Sequence, residues 1–324
     1  MSESVRVVPR VLFSRCLGFD RCRYNGVTIT DRVTELLKPF VEPVTVCPEV
    51  AIGLGVPRPP IRLIEEGEVV NLYQPETKRD VTEEMQNLCS SFFASLDPVD
   101  GILLKYRSPS CGPSDVKVFN SRSPKAGHRK GRGMFAQAAL GALPGLPFED
   151  EGRLRNFDIR GHYLTKLFSV ARFRCSQEIG TMGELVRFHS AHKLLLMAYN
   201  QEAMRAMGRL VANPDRKSAK DVFAMYRVEL LRALARSPRR TSAINVLQHA
   251  FGYVSDQLSG AERTHFLETL DQYRASRVPL TAATTLMRSW ILRFDVGYLA
   301  GQIYFEPYPA DLVEVLDSGK GRSL

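Results

Sequence analysis

The sequence lacks any apolar run long enough to span a bilayer, and its first residues, MSESVRVVPR, lack the apolar stretch of a signal peptide. We therefore expect a cytoplasmic protein with no membrane partner, and no segment indicates an obligatory protein partner. The six cysteines include no C-x-x-C pair, so the sequence indicates neither a zinc ribbon nor a thioredoxin-type site. A disulfide framework is not expected in a cytosolic chain. Any metal site must therefore be assembled from cysteines that are distant in the sequence.

The positive charge is concentrated in one half of the chain. Residues 1–150 contain 19 Lys and Arg against 18 Asp and Glu, whereas residues 151–324 contain 25 against 17. A basic module beside a neutral one suggests a polyanionic partner, because neutralising phosphates releases counterions. A solubilising basic surface explains the same surplus equally well.

The alternation of strand and helix signals predicts an α/β domain in the first half. Apolar β-branched runs separated by helical patterns are typical of a mostly parallel sheet. The alternation stops near PGLPFEDE, and almost all that follows has helical spacing, which predicts an all-α second domain. We therefore expect domains at residues 1–155 and 156–324. The segments are strands at Val5–Phe13, 41–46 and 101–106, a hairpin at 61–73, and helices at 28–40, 80–96 and 134–143.

Three cysteines directly follow predicted strands: Cys16, Cys47 and Cys111. Ligands of open parallel sheets bind beyond the carboxyl ends of the strands, so these thiols are expected to converge there. Cys89 and Cys175 fit the ordinary role of small buried hydrophobic residues. Cys22 is either a fourth ligand or a loop residue, and we favour the loop.

Soft thiolates favour an iron–sulfur cluster, copper(I) or zinc. Three cysteines are able to hold three irons of a cubane cluster and leave the fourth without a protein ligand. Such an open iron acts as a Lewis acid. The cysteines lie in three sequence blocks: Ser14-x-Cys16-Leu17-Gly18, Cys47-Pro48-Glu49 and Ser108-Pro109-Ser110-Cys111-Gly112.

These blocks, in this order, resemble the thiouracil desulfidase family over residues 10–152. Residues 180–310 look like the helical domain often fused to it, with Phe188-His189-x-x-His192-Lys193 and Pro307-Tyr308-Pro309. The two-domain arrangement resembles bacterial desulfidases that convert 4-thiouridine in tRNA to uridine. The resemblance implies a 4Fe–4S cluster on Cys16, Cys47 and Cys111, and a non-redox reaction that releases hydrogen sulfide.

The resemblance also implies an acid/base carboxylate and a catalytic serine. The carboxylate matches Glu49, and the serine falls in the SPSC segment, where Ser108 is our choice and Ser110 the reserve. Apart from the resemblance, Glu49 is more simply a turn cap or an ion-pair partner of Arg58.

A base within folded tRNA must be reached by a protein that binds the backbone and extrudes the nucleotide. Tyr253 and Trp290 are able to stack on bases, although packing is the more usual role of aromatic residues on helices. His189 and His192 fit helix packing or an RNA-facing role better than a metal pair. The basic candidates for RNA contacts are Lys125, Arg129, Lys130 and Arg132 in the first half and Arg187 and Lys193 in the second.

Two other functions remain open on the sequence. The same desulfidase chemistry can act on free thiouracil or on thionucleosides. Alternatively, the chain is a non-catalytic RNA-binding protein whose cysteines hold a structural metal.

Overall fold

The computed structural model of the chain describes residues 7–313. They form two compact units. The first contains the described residues up to Ala171 together with those from Ala310 onward, and the second is Arg172–Pro309. The first is an α/β unit and the second is helical, which confirms the predicted fold class.

The strands of the first unit belong to two sheets. One sheet has the order β2-β1-β6-β9 and is parallel throughout. The other has the order β5-β4-β3-β7-β8 and is antiparallel except where β3 pairs with β7. The strands are Arg10–Ser14 (β1), Glu42–Val46 (β2), Arg62–Glu66 (β3), Val69–Gln74 (β4), Arg79–Asp80 (β5), Gly101–Leu104 (β6), Val116–Phe119 (β7), His128–Gly131 (β8) and Phe148–Asp150 (β9).

The second sheet differs from the expectation of a single, mostly parallel one. The hairpin of β3 and β4 is as predicted, with its turn at Gly67, which has a φ of 66°. The hairpin of β7 and β8 is not predicted, because β8 has the sequence His-Arg-Lys-Gly and is largely exposed. A strand without β-branched or buried residues leaves no periodic signal. Within the predicted strand Val5–Phe13, Val5 and Arg6 lie outside the described residues, and the strand itself begins at Arg10.

The helices follow the apolar spacing of the sequence. Asp31 caps the first helix as expected, because its side chain accepts a hydrogen bond from Thr34 N at 3.0 Å. None of the described helices is both long and apolar enough to cross a membrane. The helices are Arg32–Leu37 (α1), Pro48–Ala51 (α2), Thr82–Ser95 (α3), Met134–Ala142 (α4), Phe157–Ile179 (α5), Met182–Tyr199 (α6), Gln201–Ala212 (α7), Ala219–Ala233 (α8), Arg240–Phe251 (α9), Gly260–Arg274 (α10), Leu280–Arg293 (α11) and Gly297–Ala300 (α12).

Each unit has its own hydrophobic core. In the first unit, residues of α3 and α4 pack with those of both sheets around Leu12, Leu63 and Phe135. In the second unit, one cluster involves α6, α7 and α8, and another involves α6, α9, α10 and α11. The parallel sheet of the first unit thus has a closely packed interior, and a site is expected at its strand ends.

The first unit extends beyond residue 155, where the sequence analysis placed the boundary. Helix α5 begins at Phe157, and the division between the units falls within it, after Ala171. The early part of α5 carries the fully buried Leu167, whose Cδ1 lies 2.6 Å from where a Cβ on Gly101 would stand. This half of the helix therefore packs against the start of β6, and Gly101 provides the space for it.

Candidate active site

The three cysteines that follow predicted strands come together at one edge of the parallel sheet. Strands β2, β1 and β6 are neighbours that run in the same direction, so their carboxyl ends meet. Cys16 lies two residues beyond the end of β1, and Cys47 directly follows β2. The turn after β1 is tied to β2, because Arg15 N donates to Val46 O at 2.8 Å. The sheet therefore sets the positions of both thiols.

Cys111 is held by a tight turn after β6. Gly112 N donates to Ser108 O at 2.8 Å, and Cys111 N donates to Ser108 Oγ at 3.1 Å. A Cβ on Gly112 would lie 2.4 Å from Val116 Cγ2 and 2.8 Å from Ser108 O. Only glycine allows this close approach, which brings the Cys111 thiol back toward the other two.

The thiols line a cavity of about 290 Å³ at this edge. Cys22 lines it as well, from the loop after β1, and is only 3% exposed. Cys89 is on the buried face of α3 and Cys175 is partly buried on α5, and neither lines the cavity. The polar residues that share the lining are Ser14, Arg15, Arg23, Tyr24, Glu49, Arg58, Lys105, Tyr106, Arg107 and Ser108.

The buried thiols hold their protons tightly. Burial raises the pKa of Cys47 to about 11 and also raises that of Cys111. A hydrogen bond with the Cys16 thiol, followed by burial, raises the pKa of Cys22. A soft cation reverses this preference, because a coordinated thiol gives up its proton. Among residues 7–313, no three His, Cys, Asp or Glu side chains converge closely enough to hold a single metal ion. The thiols instead surround a volume.

Glu49 connects two sides of the cavity. It lies in the first turn of α2, two residues after Cys47. Its Oε1 accepts a hydrogen bond from Ser110 Oγ at 2.5 Å, and its Oε2 pairs with the Arg58 guanidinium at 2.7 Å. Ser110 Oγ lies 3.3 Å from Ser108 Oγ. Ser108 lines the cavity, whereas Ser110 is completely buried behind it. Glu49 thus lines the cavity itself, and its Oε1 is also connected to the lining residue Ser108 through the Ser110 hydroxyl group.

Arg58 has a larger role than the ion pair suggested by the sequence. Its Nη1 donates to Cys22 O at 3.0 Å and to Gly55 O at 2.9 Å, and its Nη2 lies 4.0 Å from Cys47 Sγ. Only 7% of the residue is exposed. A single guanidinium therefore orients the carboxylate and fixes the loop that carries Cys22. The contacts with Cys22 and Gly55 depend on tertiary folding and leave no local signal in the sequence.

Three arginines that the sequence analysis did not select also line the cavity: Arg15, Arg23 and Arg107. Arg107 is exposed and lies 4.6 Å from the ring of Tyr106, and Arg23 lies 5.4 Å from the ring of Tyr24. Within the described part of the chain, none of the three forms an ion pair with a carboxylate. The cavity therefore combines soft thiols with unneutralised cations.

Comparison with known proteins identifies the family. The model of the 2-thiouracil desulfurase family matches residues 11–151. The protein YbbK of Bacillus subtilis, which is uncharacterized, is 33% identical over 109 residues that cover 72% of YbbK and 32% of this chain. The chain belongs to the 2-thiouracil desulfurase family. The family resemblance in the sequence is thereby confirmed, and every cavity residue lies within the desulfurase match.

Other similarities extend beyond that match. A family of proteins of unknown function, DUF1722, matches residues 193–309. The uncharacterized protein YbgA of Escherichia coli is 28% identical over 148 residues, which cover 45% of this chain and 88% of YbgA. A solved structure of the [4Fe-4S]-dependent thiouracil desulfidase TudS is 27% identical and covers 45% of this chain and 93% of TudS, with a TM-score of 0.35.

None of the basic candidates is among the residues that line the cavity of this desulfurase-family protein. Arg129 pairs with Glu65, Lys130 pairs with Asp115 at 2.8 Å, and Arg187 pairs with Glu184 at 2.5 Å. Arg132 donates to Pro113 O and to Gln137, whereas Lys125 and Lys193 are exposed. Exposed ion pairs contribute little free energy, so the paired residues can exchange their partners for phosphates.

Some of the histidines and aromatic residues of the helical unit are buried between helices, and others are exposed to solvent. His192 is buried, donates to Phe188 O at 2.8 Å and stacks on Phe188, and His189 contacts Tyr226, so both pack between helices. Trp290 is buried as expected. Tyr253, however, is 45% exposed and stacks on Tyr298, which is 39% exposed. The expectation that Tyr253 is buried was wrong, because Tyr253 lies in the turn after α9, where its ring contacts are with Tyr298 and His249.

Proposed function

We propose that this protein removes sulfur from 4-thiouridine in tRNA and yields uridine and hydrogen sulfide without a redox change. The proposed cofactor is a 4Fe–4S cluster held by Cys16, Cys47 and Cys111. The observation that carries the proposal is the placement of these thiols around one cavity with Glu49, at the carboxyl ends of neighbouring parallel strands.

The donor set fits such a cluster. Thiolates are the usual ligands of iron–sulfur clusters, and each binds a different iron, so the thiols must surround a volume. A cavity of about 290 Å³ is much larger than a single ion requires. When bound, the cluster would supply a fourth iron that none of the three cysteines ligates. That iron is a soft Lewis acid, which favours thiocarbonyl sulfur over carbonyl oxygen.

Glu49 is the proposed acid/base group. The reaction adds a water oxygen to the ring carbon and breaks the carbon–sulfur bond, so a proton must leave the water and another must reach the departing sulfur. Glu49 accepts the first proton and returns it, and Ser108 and Ser110 form a hydroxyl path between the cavity and its Oε1. Arg58 holds the other carboxylate oxygen, which keeps Glu49 oriented toward Ser110.

Arg15, Arg23 and Arg107 favour an anionic substrate. A free thiouracil base carries no phosphate and gains little from three unneutralised arginines. A nucleotide within a polynucleotide carries phosphates on both sides, which such arginines recognise. Tyr24 and Tyr106 lie beside two of these arginines and present ring faces suited to an extruded base.

The helical unit supports the choice of RNA. Residues 172–309 contain 19 Lys and Arg against 12 Asp and Glu, which is most of the net charge of +9. The exposed Tyr253–Tyr298 pair offers a stacking surface within this basic unit. Lys125, Arg129, Lys130, Arg132, Arg187 and Lys193 remain the proposed backbone contacts.

Desulfuration of free thiouracil or a thionucleoside is the second candidate. The family match favours this second candidate, because the matching family is named 2-thiouracil desulfurase, after a free base. The two candidates share the cavity chemistry and differ in what the arginines and the helical unit bind.

The deciding experiment uses the full chain, purified and loaded with iron and sulfide without oxygen. The protein is incubated with tRNA that contains 4-thiouridine, and the tRNA is digested to nucleosides. We expect conversion of 4-thiouridine to uridine with release of sulfide, and no conversion by a Cys47→Ala variant. Parallel reactions contain free 4-thiouridine and free 2-thiouracil.

Three outcomes have different meanings. A fully loaded protein that leaves tRNA unchanged but converts the free compounds supports the second candidate. A loaded protein that converts none of them contradicts desulfidase activity. A colourless protein that contains zinc instead of iron supports a structural metal in a non-catalytic RNA-binding protein.

A further inference from the structure

Cys22 is the fourth thiol of the cavity. Its side chain is less exposed than those of Cys47 and Cys111, at 3% against 9% and 6%. Cys22 lines the same cavity as Cys16, Cys47 and Cys111. A cluster held by the other three thiols would therefore lie in the cavity that Cys22 also lines.

The loop that carries Cys22 is fixed by several hydrogen bonds. Cys22 O accepts from Arg58 Nη1 at 3.0 Å and from Cys47 Sγ at 3.6 Å. Arg58 N donates to Tyr24 O at 2.8 Å, and Ile29 N donates to Cys16 O at 2.8 Å. The backbone of Cys22 is thus fixed beside the cavity, because moving this loop away would break its hydrogen bonds with the buried Arg58.

We propose that Cys22 is a displaceable fourth thiolate ligand, which binds the iron left open by Cys16, Cys47 and Cys111 until the sulfur of the substrate replaces it. This inference rests on the proposed 4Fe–4S cluster. On binding, the Cys22 thiol loses one proton and its sulfur donates an electron pair to iron. On displacement, Cys22 leaves with that pair and takes up one proton. No electron is transferred, so the exchange needs no oxidant or reductant.

Such a ligand gives the site a means of selection. Uridine is far more abundant than 4-thiouridine, but its carbonyl oxygen is a hard donor that competes poorly with a thiolate for iron. Thiocarbonyl sulfur is soft and competes well. Cys22 would therefore keep water and uridine off the iron while still yielding to the substrate.

The test compares the wild-type protein with Cys22→Ala and Cys22→Ser, and uses Cys89→Ala as a matched control. Cys89 is a buried cysteine of the same unit that lies outside the cavity. Each protein is loaded anaerobically, its iron and sulfide contents are measured, and the reduced cluster is titrated with cyanide while its electron paramagnetic resonance spectrum is recorded. Cyanide reports whether an iron is open, and this readout does not depend on turnover.

We expect all four proteins to load fully and Cys22→Ala to bind cyanide more tightly. If Cys22 occupies the iron for about nine-tenths of the time, the wild-type protein needs about tenfold more cyanide for the same spectral change. Cys89→Ala should match the wild-type protein. Adding 4-thiouridine to the wild-type protein should change its spectrum toward that of the substrate complex of Cys22→Ala.

Equal cyanide titrations of the wild-type protein and Cys22→Ala would overturn the inference and leave the proposed function intact. Failure of both Cys22 variants to load, with folded chains by circular dichroism, would also overturn it, because a displaceable ligand is not required for assembly. A wild-type protein that takes up no cluster would instead refute the proposed function.

Discussion

Glu49 illustrates how individual residues of this site act through their neighbours. Its carboxylate is held by Arg58 on one side and by Ser110 on the other, so it has a single orientation. The alternative of an ion pair with Arg58 and the role of an acid/base group are therefore compatible. A carboxylate that is held in place by a guanidinium needs no reorganisation when it accepts a proton from Ser110 or from water beyond it.

Replacing Glu49 by Gln should separate chemistry from cluster binding. Glutamine keeps the shape and a hydrogen bond to Ser110 but cannot accept the proton. We expect the Glu49→Gln variant to retain its iron content and colour, whereas kcat falls by about 10² to 10⁴. The control is Glu42→Gln, an exposed change on β2. Turnover at the wild-type rate by Glu49→Gln would contradict the acid/base role.

Replacing Arg107 tests whether the cavity binds the phosphates of a polynucleotide. It is exposed, lines the cavity and has no carboxylate partner among the described residues, so it is available to a phosphate. We expect Arg107→Ala to raise KM for tRNA about fivefold, which corresponds to about 1 kcal/mol, and to leave kinetics with free 4-thiouridine unchanged. Arg79→Ala, on an edge strand away from the cavity, is the matched control. An equal effect on KM for both substrates would show that Arg107 does not bind the phosphates of the polynucleotide.

At the scale of elements, helix α6 carries a buried histidine, His192, that must stay neutral for the chain to remain folded. His192 is fully enclosed, and burial lowers its pKa to about 3, with the nearby Arg172 charge as the second cause. Its Nδ1 is hydrogen-bonded to Phe188 O, and its Nε2 has no hydrogen-bond partner among residues 7–313. The unfolded chain binds a proton at this residue below about pH 6.5, whereas the folded chain does not.

The stability that His192 contributes is therefore complete above about pH 6.5 and declines as the pH falls toward 3. Between pH 6.5 and 5 the loss is about 2 kcal/mol. We expect the free energy of unfolding of the wild-type protein to fall over this range, and the His192→Asn variant to show a smaller slope with pH. His265→Asn, an exposed change on α10, should keep the wild-type slope. Identical slopes for His192→Asn and the wild-type protein would contradict this account.

At the scale of the whole molecule, the two units differ in charge as they differ in architecture. The site and its thiols lie entirely in the α/β unit, and the surplus of positive charge lies in the helical one. Under the proposed function, the first unit performs the chemistry and the second increases the affinity for tRNA. This division predicts that salt affects the two kinds of substrate differently.

The value of kcat/KM for tRNA should fall steeply with salt. A protein that neutralises several phosphates loses about 10³-fold in affinity between 50 and 200 mM salt if it makes about six contacts. Free 4-thiouridine has no phosphate, so its kcat/KM should change by less than about twofold. The measurement is a salt series with both substrates and one preparation. A flat response for tRNA would contradict recognition through the basic surface.

The sequence by itself determined the α/β and all-α halves, the hairpin of β3 and β4, and the positions of Cys16, Cys47 and Cys111 after strands, because periodicity and strand ends are local properties. Its resemblance to a family pointed to Glu49 and Ser108. Only the tertiary structure decided that Cys22 lines the cavity, that Arg58 joins Glu49 to the Cys22 loop, and that Arg15, Arg23 and Arg107 gather there. These relations join residues that are distant in the chain, and they depend on the order of strands in the sheet and on hydrogen bonds between loops. No local sequence pattern encodes the order of the strands or the hydrogen bonds between loops.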